Sequence, residues 1–578
     1  MTWNTLSAST GAQHTRQLPA SSGSQITINH QTHERASLAG SLRIGRSAGS
    51  ADPAGRVILV SNRGPVNFTL DPQTGELAGK PGAGGVVSGL LAATQRRDVT
   101  WVALAMNAAD RAFARANAGG PAPQLEAYPN IALRLVDAPE DVYRRYYNGI
   151  SNQLLWFTQH YLLRPGVSPV TARMQNDWDA GYLAVNEAVA RAVLDELTRT
   201  DQSAFVLFQD YHLYLAPGIV REQAPWARLA HFVHIPWPDS RYWELLPEAM
   251  TQAIFAGLAA NDLIGFQTAR DARNFVDGAL RFLPDVSQAR AQSDEAGALL
   301  VDGRRVSVHA YPIAVSPSEI FAQARQEPDA ETAALLARAR PTPDHKIILR
   351  VDRLDPTKNV VAGFRAYERL LIQHKELRER VTFLALLVPS RQDVPAYRTA
   401  TRQTKRIIAR INERFGTPDW QPIIAIFGDD RKRAMACMRE FDVLLVNPVI
   451  DGMNMVVKEG ALVNERAGAI VLSRTAGAYE QLGQYTLGIS PGDVETTASA
   501  LYEALRMPKK QRRANLVGMT LQLLQENSAD WLDRQIRDLA HDWEAPPFWR
   551  VAQGARQIEG GLDSDTLDEM EKTVSLAP

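Results

Sequence analysis

The chain reads as an α/β protein of two Rossmann-like domains whose parallel sheets face a central cleft. Three features predict this. Short apolar runs alternate with longer stretches in which apolar residues recur three and four apart, the pattern of strands and helices in a parallel sheet covered on both faces. The alternation comes as two series, separated by the proline-rich, charged stretch ARPTPDHK at 338–345. The runs stop at polar, charged or turn residues, and in open α/β sheets ligands sit beyond the carboxyl ends of the strands.

In chain order, residues 1–54 are rich in Ser, Gly, Ala, Thr and Gln without periodicity, which predicts a disordered lead; a transit peptide is a weaker alternative. RVILVSNRGPV opens the first series, followed by VTWVALAM, AFVLFQDYH, ARLAHFVHIPWP and DLIGFQT. Helix-like segments such as WDAGYLAVNEAVARAVLDELTR lie between them. The first domain is thus expected over 55–338. KIILRVDRLD, VTFLALLVPS, PIIAIFG, FDVLLVNP and GAIVLSRT form the second series, in a domain expected over 339–525. A helical stretch within 526–545, DWLDRQIRDLAHDW, is expected to pack back on the first domain, and 546–578 to form a loose tail.

Composition narrows the function. The 578 residues are enough for large cores. Lys and Arg number 63 against 64 Asp and Glu, which argues against binding nucleic acid through bulk charge while leaving room for a local anion pocket. Cys437 is the only cysteine, so neither an intrachain disulfide nor a cysteine metal cluster can form. The apolar runs fall short of the roughly 20 residues that span a bilayer, and the N-terminus lacks the apolar core of a secretory signal. A cytoplasmic protein is expected, with no membrane or nucleic-acid partner.

The strand ends carry the candidate chemistry. SNRGPV places Arg63 at the first. KPGAGGVVSGL follows, where Gly82, Gly84 and Gly85 either bring backbone amides close to a phosphate or form a plain surface loop. In YYNGISNQLLWFTQHY, Tyr147 and Trp156 are either core aromatics or a platform for sugar C–H faces. Asp210 in FQDYHLYLAP either holds sugar hydroxyls or caps the next helix. His234 in HFVHIPWP is either structural or part of the site. Arg353 and Lys358 in RVDRLDPTKN, and Arg391 in VPSRQDV, suit phosphate groups or are solvated surface charges. In NPVIDGMNMVVKEG, Gly452 permits a tight turn, and a helix beginning near Asn454 directs its first amides into the cleft. Asp451 and Glu459 flank that helix start. Phosphates at the amides and hydroxyls at the two acids describe a nucleotide sugar.

Taken together and in this order, SNRGPV, YNGISNQLLW, QDYHL, HIPWP, VDRLDPTKN, PSRQDV and DGMNMVVKEG resemble glycosyltransferase family 20, the trehalose-6-phosphate synthase family, from about Val57 to about Trp543. The resemblance implies the GT-B fold and transfer of glucose from a nucleotide donor to glucose 6-phosphate, with retention and without a metal or other cofactor. It further implies that Arg353 and Lys358 hold the donor diphosphate with the amides of Gly452, Met453 and Asn454. Asp451 would contact the donor sugar and Glu459 the ribose, with Gly84 and Gly85 in a mobile donor loop. Arg63, Tyr147, Trp156 and Arg391 would recognise the acceptor, and Asp210 and His234 the sugars near the reacting carbon. A homo-oligomer is compatible with this.

Several positions depart from the family pattern. Gln209 stands for His, Pro356 and Asn359 for Tyr and Gly, Ala314 for Gly, and Ile450 for the Arg before Asp-Gly-Met-Asn. These leave open glycerol 3-phosphate as acceptor, or the cyclitol-joining pseudo-glycosyltransferase branch, which FVHIPWPDSRYWELLP and LVNER also resemble. A non-catalytic sugar-phosphate sensor is the alternative of another class.

Overall fold

A computed structural model describes residues 55–542, apart from 72, 74–75, 83–84, 118, 123–124, 126–127, 164–169, 200–203 and 292–295. The expected disordered lead, the expected tail and Gly84 lie outside the described residues.

The first sheet contains β1 (Val57–Ser61), β4 (Val99–Leu104), β5 (Ile131–Val136), β6 (Phe205–Gln209), β7 (Arg228–Val233), β8 (Leu263–Phe266), β9 (Val286–Gln288), β10 (Gly297–Val301) and β11 (Arg304–Ala310), while β2 (Val66–Leu70) and β3 (Leu77–Pro81) make a separate hairpin. The sheet order is β5-β4-β1-β6-β7-β8-β11-β10-β9. Pairing is parallel from β5 through β11, as expected, with an antiparallel edge through β10 to β9. The second sheet joins β12 (Lys346–Arg353), β13 (Val381–Val388), β14 (Ile423–Phe427), β15 (Val443–Val446), β16 (Ala469–Ser473) and β17 (Leu487–Ile489) in the order β14-β13-β12-β15-β16-β17, all parallel.

The apolar runs form strands because both faces are covered. Val57 and Leu59 enter one core, while Ile58 and Val60 enter another on the opposite face, the alternation a pleated strand imposes. One core is shared by the two lobes: Leu59, Leu207 and Phe232 belong to it with Leu349, Leu384 and Leu444. Trp531, Leu532, Ile536 and Leu539 of the helix Ser528–Asp542 complete it. That helix packs on the first lobe, with Trp531 Nε1 donating to the Tyr311 carbonyl at 3.0 Å and Arg97 bonded to Asp533 at 2.7 Å.

The chain passes between lobes earlier than the 338–345 hinge expected from composition. Helices Pro317–Ala324 and Ala330–Ala339 pack on the second lobe, where Arg439 donates to the Ala324 carbonyl at 3.2 Å and Arg433 to Thr332 Oγ1 at 3.2 Å. The boundary therefore falls after β11, because these helices bury their apolar faces against the second lobe.

Strand order locates the site. Each sheet has a point where the chain reverses direction across it: between β1 and its neighbours β4 and β6, and between β12 and its neighbours β13 and β15. Ligand crevices form at such points. Arg63 lies just past β1 and Asp210 just past β6; Arg353 ends β12, and Asn447 begins the loop after β15.

Candidate active site

At one end of the cleft a guanidinium pair is held by phenols. Arg63 donates to the Tyr147 hydroxyl at 3.1 Å. Arg391 donates to the hydroxyls of Tyr397 at 2.5 Å and Tyr211 at 3.0 Å, and lies 3.5 Å from Asp355. Its guanidinium sits 4.1 Å above the Trp156 ring, and that of Arg353 lies 5.6 Å from the same ring. Trp156 Nε1 donates to Asp355 Oδ1 at 3.3 Å across the lobe boundary. Burial alone would raise the Tyr147 phenol, but Arg63 and Arg391 outweigh burial and bring it down to about 8.

Tyr147 and Trp156 reach the cleft from an unusual segment. Residues 145–155 wind in wide turns with i→i+5 hydrogen bonds, continued by an α-turn at Trp156–Gln159. Nothing in the sequence pattern signalled this geometry. Arg391 itself adopts φ 44°, one of several non-glycine residues with left-handed backbone that cluster at the site; Asp210 (71°), Asn359 (57°) and Asn454 (72°) are others.

At the centre, Asp210 does not cap a helix. Its Oδ1 accepts from the His234 amide at 3.2 Å. Burial pushes its carboxyl up to about 7, against the pull of the Tyr211 and His234 amides and of Arg391 and Arg353. The His234 ring bonds Gln209 Oε1 through Nε2 at 2.9 Å.

At the donor end, Lys358 is paired with Asp451 Oδ2. Burial would raise the Asp451 carboxyl, but Lys358 outweighs it, helped by the Asn454 amide at 3.0 Å, and holds it below its ordinary range. Gly452 has no room for a side chain: a Cβ there would lie 2.1 Å from the His234 carbonyl oxygen. This contact seats the donor-side turn on the centre of the first lobe. The helix Met455–Val463 follows, with no side-chain cap from Asn454, which leaves the first-turn amides available to an anion. Glu459 is bonded through both oxygens to Arg431 at 2.8 and 2.9 Å. Gly85 opens the helix Gly85–Thr94.

Two departures from the family pattern have local explanations. Asn359 sits at φ 57°, a conformation glycine tolerates best and asparagine next, and its side chain donates to the Pro491 carbonyl at 2.8 Å. Pro356 opens a single helical turn, where its missing N–H costs nothing. Ala314 is buried and its carbonyl accepts from Ser528, and Ile450 is half-buried; nothing in the structure explains either replacement.

Sequence reading missed a supporting layer. Arg350, fully buried, donates to Asn447 Oδ1 and reaches the Lys358 carbonyl at 3.4 Å, tying the Lys358 turn to the loop after β15. Asp355 accepts from Thr357 N at 3.1 Å and Tyr397 at 3.2 Å. An Asp-Pro-Thr turn signal could have found the first contact; the second depends on tertiary folding. A cavity of about 690 Å³ opens beside this cluster, lined by Phe157, Leu163, Met174, Pro356, Val360 and Val394 among others. Arg63, Arg391 and Lys358 do not line it. Among the described residues no group of three or more His, Cys, Asp or Glu could hold a metal ion, and no helix is long and apolar enough to cross a membrane.

Two Rossmann-like lobes, with phenol-held Arg63 on the first and Arg391 on the second, and with Lys358 and an uncapped helix start also on the second, define a GT-B-type transferase of sugars from nucleotide donors. The chain belongs to glycosyltransferase family 20, whose model matches residues 55–541. It is 33% identical over 489 residues to a bifunctional trehalose-6-phosphate synthase/phosphatase of Thermoproteus tenax, covering 82% of this chain but only 62% of that protein. A UDP-forming alpha,alpha-trehalose-phosphate synthase of Schizosaccharomyces pombe is 32% identical, with 81% of this chain and 87% of that one covered. A validamine 7-phosphate valienyltransferase of Streptomyces hygroscopicus is 28% identical, with coverages of 79% and 88%. Among solved structures, a UDP-forming alpha,alpha-trehalose-phosphate synthase from Burkholderia xenovorans in complex with glucose-6-phosphate superposes with TM-score 0.71 at 30% identity, over 84% of this chain and all of that one. The E. coli enzyme bound with UDP-2-fluoro glucose gives TM-score 0.71 at 29% identity, over 84% and 99%.

Proposed function

We propose that this chain transfers glucose from a nucleotide-glucose, UDP-glucose first among the candidates, to glucose 6-phosphate with retention, making trehalose 6-phosphate. The observation that carries the reading is one cleft lined by cations from both lobes: Arg63 and Arg391 for the acceptor phosphate, and Lys358 with Arg353, whose guanidinium shares the Trp156 ring with Arg391, for the donor diphosphate, with Asp210 bonded to the His234 amide. The relatives named for this synthase activity, and the structures named with glucose-6-phosphate and with UDP-2-fluoro glucose, support the same assignment.

The reaction breaks the bond between the anomeric carbon and the diphosphate. Charge grows on the leaving phosphate, where Arg353, Lys358 and the amides after Gly452 stabilise it; losing one such donor commonly costs about 10²–10³ in turnover. The acceptor hydroxyl attacks from the leaving-group face, and its proton passes to the departing phosphate oxygen. No protein base and no metal is required. Asp451 leaves Lys358 for the donor sugar as the diphosphate takes its place. Glu459, oriented by Arg431, keeps lone pairs free to accept from the ribose hydroxyls. Closure of the lobes excludes water that would hydrolyse the donor. The site residues, the cytoplasmic location and a possible homo-oligomer belong to this proposal as well.

Mixing UDP-, GDP- and ADP-glucose with glucose 6-phosphate and with glycerol 3-phosphate, and following nucleotide release, tests it. Release with glucose 6-phosphate as the preferred acceptor is expected. Binding without release would leave a sensor. The valienyltransferase similarity and Ile450, which removes a cation beside the donor loop, favour a second reading, transfer of a cyclitol group to a phosphorylated cyclitol.

A further inference from the structure

Gln209 departs from the family pattern at a position next to the reacting centre. It ends β6, pairs in register with Phe232 of β7, and is 1% exposed. Its Oε1 contacts His234 Nε2 at 2.9 Å, and its own Nε2 is buried without a partner. The imidazole is held on other sides by the Phe232 ring at 4.6 Å and by Trp531 at 6.2 Å. Its backbone oxygen is the floor against which Gly452 turns. Among the described residues, His234 Nδ1 makes no hydrogen bond to the protein.

An amide oxygen only accepts, so the atom it meets on His234 must donate. In a neutral imidazole one nitrogen carries the proton and the other a lone pair. We propose that Gln209 is a positioning residue that locks His234 as the neutral tautomer with its proton on Nε2, so that Nδ1 meets a sugar hydroxyl as a hydrogen-bond acceptor.

A histidine at position 209, the usual family residue, can titrate; a glutamine amide does not, and with Oε1 turned to the ring it only accepts. The charged and titratable groups near His234 agree with this. Burial, with His231 adjacent, pushes its imidazole down to about 3. His231 is itself lowered to about 3 by burial, and Asp210 spends Oδ1 on the His234 backbone amide rather than on its ring. Thus, among the described residues, no hydrogen bond to the imidazole opposes the tautomer that Gln209 favours. The inference rests on the transferase reading, because a sugar hydroxyl is the partner it assigns.

The test uses the full chain labelled with ¹⁵N-histidine, with His234 assigned by comparison with His234→Asn. The expected spectrum has Nε2 protonated and Nδ1 bare from pH 6 to 9. In steady-state transfer, Gln209→Leu should lower kcat about tenfold, one net hydrogen bond, with acceptor KM nearly unchanged. Gln209→Glu should raise the imidazole pKa and introduce a rate loss at low pH that recovers as pH rises. A proton on Nδ1 of the wild-type chain, or a Gln209→Leu variant with unaltered kcat and pH profile, overturns the inference. Failure of the transferase reading looks different: no donor–acceptor pair releases nucleotide, whatever the nitrogen spectrum shows.

Discussion

The two ends of the cleft hold their cations by different means. On the acceptor side Arg63 and Arg391 lean on phenols, Tyr147, Tyr211 and Tyr397, which orient a guanidinium without cancelling its charge. On the donor side Lys358 is matched by Asp451, and the acid of the following helix, Glu459, by Arg431. On the proposed assignment the acceptor pocket is a preorganised positive field, in which Arg391 lies 3.5 Å from Asp355. On the same assignment Lys358 is neutralised by Asp451, and a diphosphate competes with a carboxylate for that lysine. Preorganisation favours tight, geometry-selective phosphate recognition. An ion pair that must open links binding to rearrangement, which suits the end of the cleft where a bond breaks.

The contrast can be broken most directly at the donor cations. Lys358→Ala or Arg353→Ala should lower kcat about 10²–10³-fold while leaving the far-ultraviolet dichroism unchanged. Near-normal nucleotide release in both variants would end the diphosphate assignment. Almost as large an effect is expected from Gly452→Ala, since a methyl group 2.1 Å from the His234 oxygen must push the donor turn away from the first lobe. A displacement near 1 Å costs about 10² in rate, measurable as kcat with both substrates saturating.

Arg391→Ala should sharpen the comparison from the other side. Acceptor KM should rise about 10–100-fold, with donor KM changed by no more than about threefold. Equal rises in both would mean that the phenol-held pair does not recognise the acceptor phosphate. The pH dependence of acceptor KM is a finer probe. With the Tyr147 phenol brought down to about 8, raising the pH through that value places a negative charge beside Arg63, and acceptor affinity should fall. Tyr147→Phe should abolish that limb, at the cost of a weaker but flat KM.

The remaining test is thermodynamic. Asp210 is raised from 3.8 to about 7, so the folded chain keeps a proton that the unfolded chain releases. Its contribution to stability is complete below about pH 4 and is lost as pH rises through about 7. Asp210→Asn should remove this decline, worth at most about 4 kcal/mol, and raise Tm at pH 8 relative to pH 5 when compared with the wild-type chain. An identical pH dependence of Tm in the two proteins would show that the carboxyl is not held protonated.

Much of the fold was legible because buried parallel strands are written as apolar runs. VILVS, FVLFQ, VTFLALLV and VLLV are strands in the structure, and the polar residues that end them lie in the crevice. The short edge strands β9 and β17 and the hairpin were not legible, since three-residue strands and exposed hairpins leave little apolar signature. The lobe boundary was misplaced because proline and charge mark a surface turn, whereas a domain boundary is set by which core a helix buries its face in.

By itself, then, the chain determined its longer buried strands and the residue types at their ends, for these follow from local periodicity and turn chemistry. Only the tertiary structure decided who meets whom. Trp156 finds Asp355 and Arg391 across the lobe boundary, Arg350 braces the Lys358 turn through Asn447, and Glu459 is taken by Arg431. Side chains far apart in sequence compete for the same few charges, and which pairing wins depends on burial and distance in three dimensions, quantities that no linear spacing encodes.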